Sequence, residues 1–299
     1  MTGVNMKKVA PILFFFFISS GTLFADRGLI PHNPNVKVFN PTQRAMIAWN
    51  GEEEILLLST DLRASEKTDV LEVIPLPSEP TAKKGDVEVF RKATALINRK
   101  LRERYVRPGK GLDLSREGAS PAGEVTFHEK IGAHDISVTH VLDKSGFIKW
   151  VEEYLRSAGV ENPTIPEGMK SVVSEYLDEG FSWFVFDAIS LDEIPKTGEA
   201  IQYRFACEYL YYPLKISRTA AGDTSVELLV LTPRLLSNFP DLPIGRVKLM
   251  HEPIAISSRE LRGLNAEMDD LMGSREDLKL RIWQIKGKLS SFDKDLIAK

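Results

Sequence analysis

Ala45-Met46-Ile47-Ala48-Trp49-Asn50-Gly51-Glu52-Glu53-Glu54-Ile55-Leu56-Leu57-Leu58 is two apolar runs hinged on an Asn-Gly pair. Asn-Gly tolerates the positive φ of a tight hairpin turn, so residues 42–60 read as two antiparallel strands. Downstream, Val70 to Ile74 supplies another strand, ended by Pro75, Pro77 and Pro80, which have no N–H to give to a ladder. Val89, Phe90, Ala93, Leu96, Ile97 and Leu101 then recur at helical spacing and predict a helix over 86–105. The first unit is β-β-β-α.

Residues 106–124 are rich in glycine and proline and poor in apolar side chains, so an internal sub-boundary is expected in this loop. Beyond it the pattern predicts a strand over 135–142 and helices over 145–158 and 168–177. Strands follow at 181–189, 201–210 and 225–231, the last preceded by the turn pair Gly222-Asp223. Bunched rather than regularly alternating strands and helices give an α+β class, a largely antiparallel sheet with packed helices. The body spans 26–236 and a connector 237–256.

The last segment, 257–299, carries Leu261, Leu264, Met268, Leu271, Leu278, Ile282, Ile285, Leu289, Phe292 and Leu296 at alternating spacings of three and four, with Arg275 the one polar residue in the series. A strict 3.5-residue period suits a supercoiled helical seam, because a straight helix drifts about 20° per heptad against it. Two forms are open: one long coiled-coil helix, or a helical hairpin broken at Gly273 with Ser274 capping its second arm. Either would serve self-association or docking on another envelope protein.

The chain starts with Met6-Lys7-Lys8, an apolar run from Val9 to Ile18 and small residues leading to Ala25. This is the pattern of a secretory leader, 1–25, with an apolar run too short to span a bilayer. The mature protein is expected to be soluble, without a transmembrane segment, and periplasmic or extracellular. A net charge of -3 argues against nucleic acid as a partner. Cys207 has no second cysteine to pair with and reads as a small buried hydrophobe.

His128, His134 and His140 fall close together beside Glu129 and Asp135 and are the metal-ligand candidates. Along a continuous strand, however, His134 and His140 would stand about 20 Å apart, too far for one ion. Structural roles are the reading, with no metal and no cofactor expected. Arg99, Lys100, Arg102, Arg104, Arg107 and Lys110 gather at the end of the first helix, where cations complement the helix dipole and offer a surface to an anionic envelope partner. Glu175, Asp178, Glu179, Asp187, Asp192 and Glu193 are the acid/base candidates, but nothing in the sequence fixes their separation. Nucleophile-elbow, phosphate-loop and paired-cysteine motifs are absent from the sequence.

Four stretches in order, Gln43-Arg44-Ala45-Met46-Ile47-Ala48-Trp49, Val73-Ile74-Pro75-Leu76-Pro77-Ser78-Glu79-Pro80, Asp135-Ile136-Ser137-Val138 and Tyr212-Pro213-Leu214-Lys215-Ile216-Ser217, resemble an uncharacterised family of exported bacterial proteins, domain of unknown function 2330. The resemblance covers about 26–236 and implies export and an α+β body. It supplies no activity and no catalytic residues. The functional expectation is a cell-envelope binding or interaction protein rather than an enzyme; the alternative is an extracytoplasmic hydrolase with its site between the two α+β units.

Overall fold

The computed structural model describes residues 28–33, 36–39, 43–105, 128–157, 160, 163–194, 196–220, 222–236, 239, 242 and 245–299. The leader at 1–25 and the 106–124 loop lie outside them, as do Arg107 and Lys110. Along the chain run β1 (Gly28–Pro31), β2 (Val38–Phe39), β3 (Gln43–Trp49), β4 (Glu53–Ala64), β5 (Thr68–Leu76), β6 (Thr81–Lys84) and α1 (Glu88–Tyr105). Then come β7 (His128–Ile131), β8 (His134–His140), α2 (Lys144–Ser157), α3 (Glu167–Asp178), β9 (Trp183–Leu191), β10 (Lys196–Ala206), β11 (Leu210–Tyr212) and β12 (Asp223–Thr232). The chain closes with β13 (Val247–Leu249), β14 (Ile254–Ile256), α4 (Ser258–Leu264), α5 (Ala266–Leu271), β15 (Leu278–Lys288) and β16 (Leu296–Ala298).

The β3–β4 hairpin forms as the sequence predicts. Gly51 takes a φ of 111°, while the Asn50 side chain fixes the turn by accepting the Glu52 and Glu53 N–H groups, each at 2.8 Å. Both strands are buried on both faces. Ala45, Ile47, Leu56 and Leu58 face Ile74, Leu76, Ile136 and Val185 of a second sheet. Met46, Ala48, Ile55 and Leu57 face Val89, Phe90 and Ala93 of α1 together with Leu261, Met268 and Leu271 of α4 and α5.

That double burial sets the architecture. The larger sheet runs β13-β15-β12-β3-β4-β10-β6, with β14 also on β15 and β2 also on β4. The smaller runs β1-β5-β9-β8-β7, and β11 and β16 form a short ribbon. The ladders are antiparallel apart from β3 against β12. On the outer face of the smaller sheet, Leu71, Val73, Phe184 and Phe186 pack on Phe147 and Val151 of α2 and on Met169 and Val173 of α3. The layers are therefore helix, large sheet, small sheet, helix, an α+β fold with mostly antiparallel strands.

Two expectations are corrected here. The long coiled-coil helix or helical hairpin over 257–299 does not form: the segment makes two short helices, then β15 and β16. All ten seam residues (Leu261, Leu264, Met268, Leu271, Leu278, Ile282, Ile285, Leu289, Phe292 and Leu296) are buried within the protein itself. The reason lies in 278–288, where Leu278, Leu280 and Ile282 alternate with Arg281, Trp283 and Ile285. Period two wins because β12 offers β15 a partner over its whole length, from Asp223 opposite Lys288 to Thr232 opposite Lys279. Gly273 does end a helix, with φ 64°, but Ser274 follows at φ 53° and leads into a strand instead of capping a second helix. The segment thus adds β15 to the large sheet and pairs β16 with β11.

Pro75 does not stop β5, which continues to Leu76. Its ladder with β1 ends at Val73, so Pro75 sits where β9 is the neighbouring strand and no donor is required on the other edge.

Candidate functional site

The apolar side of α1 is fixed on the large sheet, and this leaves a cationic stripe facing outward. Asp86 Oδ1 accepts the Glu88 N–H at 2.8 Å and starts the helix. Arg91, Ala95, Arg99 and Arg102 follow at spacings of four, four and three and share one face. Beside them lies α4, started by a reciprocal capping box between Ser257 and Glu260. A groove of about 610 Å³ separates the two helices. Arg91, Lys92, Arg99, Arg102 and Arg259 surround its floor of Ala95, Leu96, Gly263 and Leu264, and Glu260 is the carboxylate in the lining. A side chain at Gly263 would enter open space, so the floor is recessed where glycine stands.

The charges are organised rather than loose. Burial opposes ionisation of Glu260, but Lys100 and the Ser257 N–H and hydroxyl outweigh it and hold the carboxyl below its ordinary range. Arg99 Nη2 lies 3.1 Å and Lys100 Nζ 2.8 Å from Glu260 Oε1. Arg91 pairs with Glu88 at 2.5 Å and Lys92 with Asp86 at 3.4 Å. Arg104 turns away, donating to the Pro253 carbonyl at 2.9 Å. Even so, α1 carries six cations against Glu88 and Glu103, on a chain whose net charge is -3.

The histidines are not brought together. His140 stacks on Trp183, with ring centroids 4.2 Å apart, whereas His134 at the other end of β8 is wholly buried. The side chain of His128 lies outside the described residues. Among the described residues, no group of three or more His, Cys, Asp or Glu side chains is placed to hold a metal ion.

His134 has a different role. Its Nδ1 lies 2.6 Å from Asp187 Oδ2 and its Nε2 3.5 Å from Glu199 Oε2. Asp187 is opposite Glu72 on β5, and Glu199 reaches across from β10 of the large sheet. Burial lowers the imidazole pKa, but the hydrogen bond and charge of Asp187, with the charges of Glu72 and Glu199, outweigh it and raise the pKa above its ordinary value. The arrangement is a polar staple between the sheets. Gly132 makes room for it: φ there is 62°, and a Cβ would stand 2.4 Å from Glu199 Oε1.

Of the acidic candidates, Asp187 thus belongs to the staple. Glu175 pairs with Arg218, and Glu179 pairs with Lys215 at 2.5 Å. Asp192 accepts the Ile194 N–H at 2.8 Å, and Asp178 and Glu193 are exposed. Sequence reasoning missed Asp295, whose Oδ1 accepts the Tyr176 hydroxyl at 2.7 Å and the Lys215 N–H at 2.8 Å. Its burial lifts the carboxyl to about 6, against the pull of Tyr176 and Lys215. Cys207 is buried as expected, and burial and then the Glu54 charge push its thiol up to about 12.

A four-layer α+β body with a cationic groove on one outer layer defines the class. The chain belongs to a family of uncharacterized proteins conserved in bacteria, DUF2330, whose model matches residues 25–245. No curated protein matches it. Among solved structures, baculovirus P35 is 7% identical over 89% of this chain and 97% of its own, with a TM-score of 0.46. A mutated baculovirus P35 after caspase cleavage is 8% identical over 86% and 98%, with a TM-score of 0.44. Among the described residues, no helix is long and apolar enough to cross a membrane.

Proposed function

We propose that this is an exported cell-envelope interaction protein that binds an anionic envelope polymer along the α1–α4 groove. The observation that carries the reading is the convergence of Arg91, Lys92, Arg99, Arg102 and Arg259 on one open groove of a net-negative chain. Arg91, Arg99 and Arg102 lie along one helix face, about 12 Å and then about 16 Å from the first at 1.5 Å rise per residue, a row that suits a linear ligand carrying repeated charges. Guanidinium groups recognise phosphate and carboxylate with paired hydrogen bonds, which fits phosphate- or uronate-bearing polymers. Export rests on the leader pattern at 1–25.

Co-sedimentation of the mature protein with anionic envelope polymers tests this. Binding is expected at low salt, to weaken steeply between about 50 and 200 mM salt as exposed charges are screened, and to be lost in Arg99→Glu/Arg102→Glu. Sedimentation unchanged by the charge reversal would end the proposal. Both side chains are largely exposed, so the double variant leaves the core intact.

A further inference from the structure

The large sheet carries a buried charge on its inter-sheet face. Arg281 of β15 stands opposite Val230 of β12, and directly opposed residues of a ladder point to the same side. Val230 belongs to the apolar inter-sheet core, as does Leu228 opposite Trp283. Arg281 and Trp283 are two residues apart, so they share that face at a spacing of about 7 Å. The Arg281 side chain is 2% exposed, and Thr232 beside it is wholly buried.

Little in the protein answers that charge. Arg281 Nη2 donates to Thr232 Oγ1 at 2.9 Å, and the same hydroxyl donates onward to the Arg234 carbonyl at 2.5 Å. Arg281 Nη1 is buried without a hydrogen-bond partner, and so is Trp283 Nε1. Burial pushes the guanidinium pKa down to about 10, and among the described residues no carboxylate acts against it. The group is still cationic at neutral pH. A buried charge with neither water nor a counter-charge around it is costly, which is why such groups are found paired.

We propose that Arg281 and Trp283 form a buried site for a chloride-sized monovalent anion. The ligand class follows from the donors. Both groups offer N–H and neither can accept, so the ligand is an acceptor. One positive charge is neutralised by one negative charge, and a more highly charged ion would leave an excess in an apolar core. A side chain 2% exposed admits a small ion and not a polymer. The α1–α4 groove lies on the other side of the large sheet, where Leu96 and Leu264 pack, so the two sites are independent.

Urea unfolding of the mature protein, with chloride exchanged for gluconate at constant ionic strength, tests the assignment. An ion held only by the folded chain stabilises it by mass action, so the wild-type folding constant should rise with chloride, approaching about tenfold per tenfold chloride above the dissociation constant. Arg281→Met should remove that response. It should also match or exceed the wild type in stability at the lowest chloride, because it deletes an unpaired buried charge. Trp283→Phe keeps a ring against Phe239 and loses the N–H, and should weaken chloride binding by about threefold or more. Arg99→Glu/Arg102→Glu should respond as the wild type does. A wild-type midpoint indifferent to chloride would overturn the assignment, as would a response that persists in folded Arg281→Met or an affinity unchanged in Trp283→Phe. Loss of the response in Arg99→Glu/Arg102→Glu would move the ion to the groove and overturn it too. Chloride NMR line broadening by that charge-reversed protein needs no change at Arg281, and its absence would equally end the proposal.

Discussion

His134 is a buried imidazole whose acidic neighbours come from three strands, and its raised pKa makes stability depend on pH. A group whose pKa is raised on folding stabilises the fold fully below its unfolded value, here the ordinary 6.5, and loses that contribution as pH rises through the folded value. His134→Gln should therefore lower stability by about 2 kcal/mol at pH 6, the scale of a buried charge-assisted hydrogen bond, and by less at pH 9. Urea midpoints of both proteins at the two pH values check this. A gap that widens toward pH 9 would show that the imidazole is neutral in the fold. None of this could be read from the sequence around His134, because Glu72, Asp187 and Glu199 lie far from it along the chain. Asp187 stood among the acidic candidates, but only the pairing of β9 with β8 and β5 turns it toward the ring.

At the level of elements, the legible parts were those with one dominant period. The β3–β4 hairpin, α1, α2 and α3 form within a few residues of their predicted bounds, since their apolar spacing matches only one kind of structure. The C-terminal segment matches two. Leu278, Ile282 and Ile285 fit a heptad, but in β15 the first two point to the helical layer while Ile285 points to the second sheet. Leu280 distinguishes the readings. It falls off the heptad seam, where truncation on a helix would cost little, yet in β15 it is fully buried opposite Leu231. Leu280→Ala should therefore destabilise the protein by about 2–5 kcal/mol in urea denaturation, as for other buried leucines. A change within about 0.5 kcal/mol, the range of a surface substitution, would contradict the strand.

At the level of the whole molecule, the C-terminal strands tie the two sheets into one unit. β15 sits inside the large sheet, and β16 pairs with β11 next to Asp295, which is bonded to Tyr176 of α3 beneath the small sheet. The inter-sheet core draws residues from both sheets and from Phe292 and Leu296 alike. The small sheet pairs β5 with β9 and the large sheet pairs β4 with β10, so strands from before and after residues 106–124 share both sheets. Unfolding should consequently be a single transition, with far-ultraviolet circular dichroism and tryptophan fluorescence coincident in urea. The fluorescence itself samples more than one layer, since Trp49 lies between the sheets and Trp150 is partly exposed on α2. Removal of residues 257–299 should abolish that transition, because it strips β12 of its antiparallel partner and uncovers the α1 face of the large sheet. If the truncated chain kept a cooperative transition at the original midpoint, the C-terminal segment would be an accessory to the fold and the four-layer unit would be wrong.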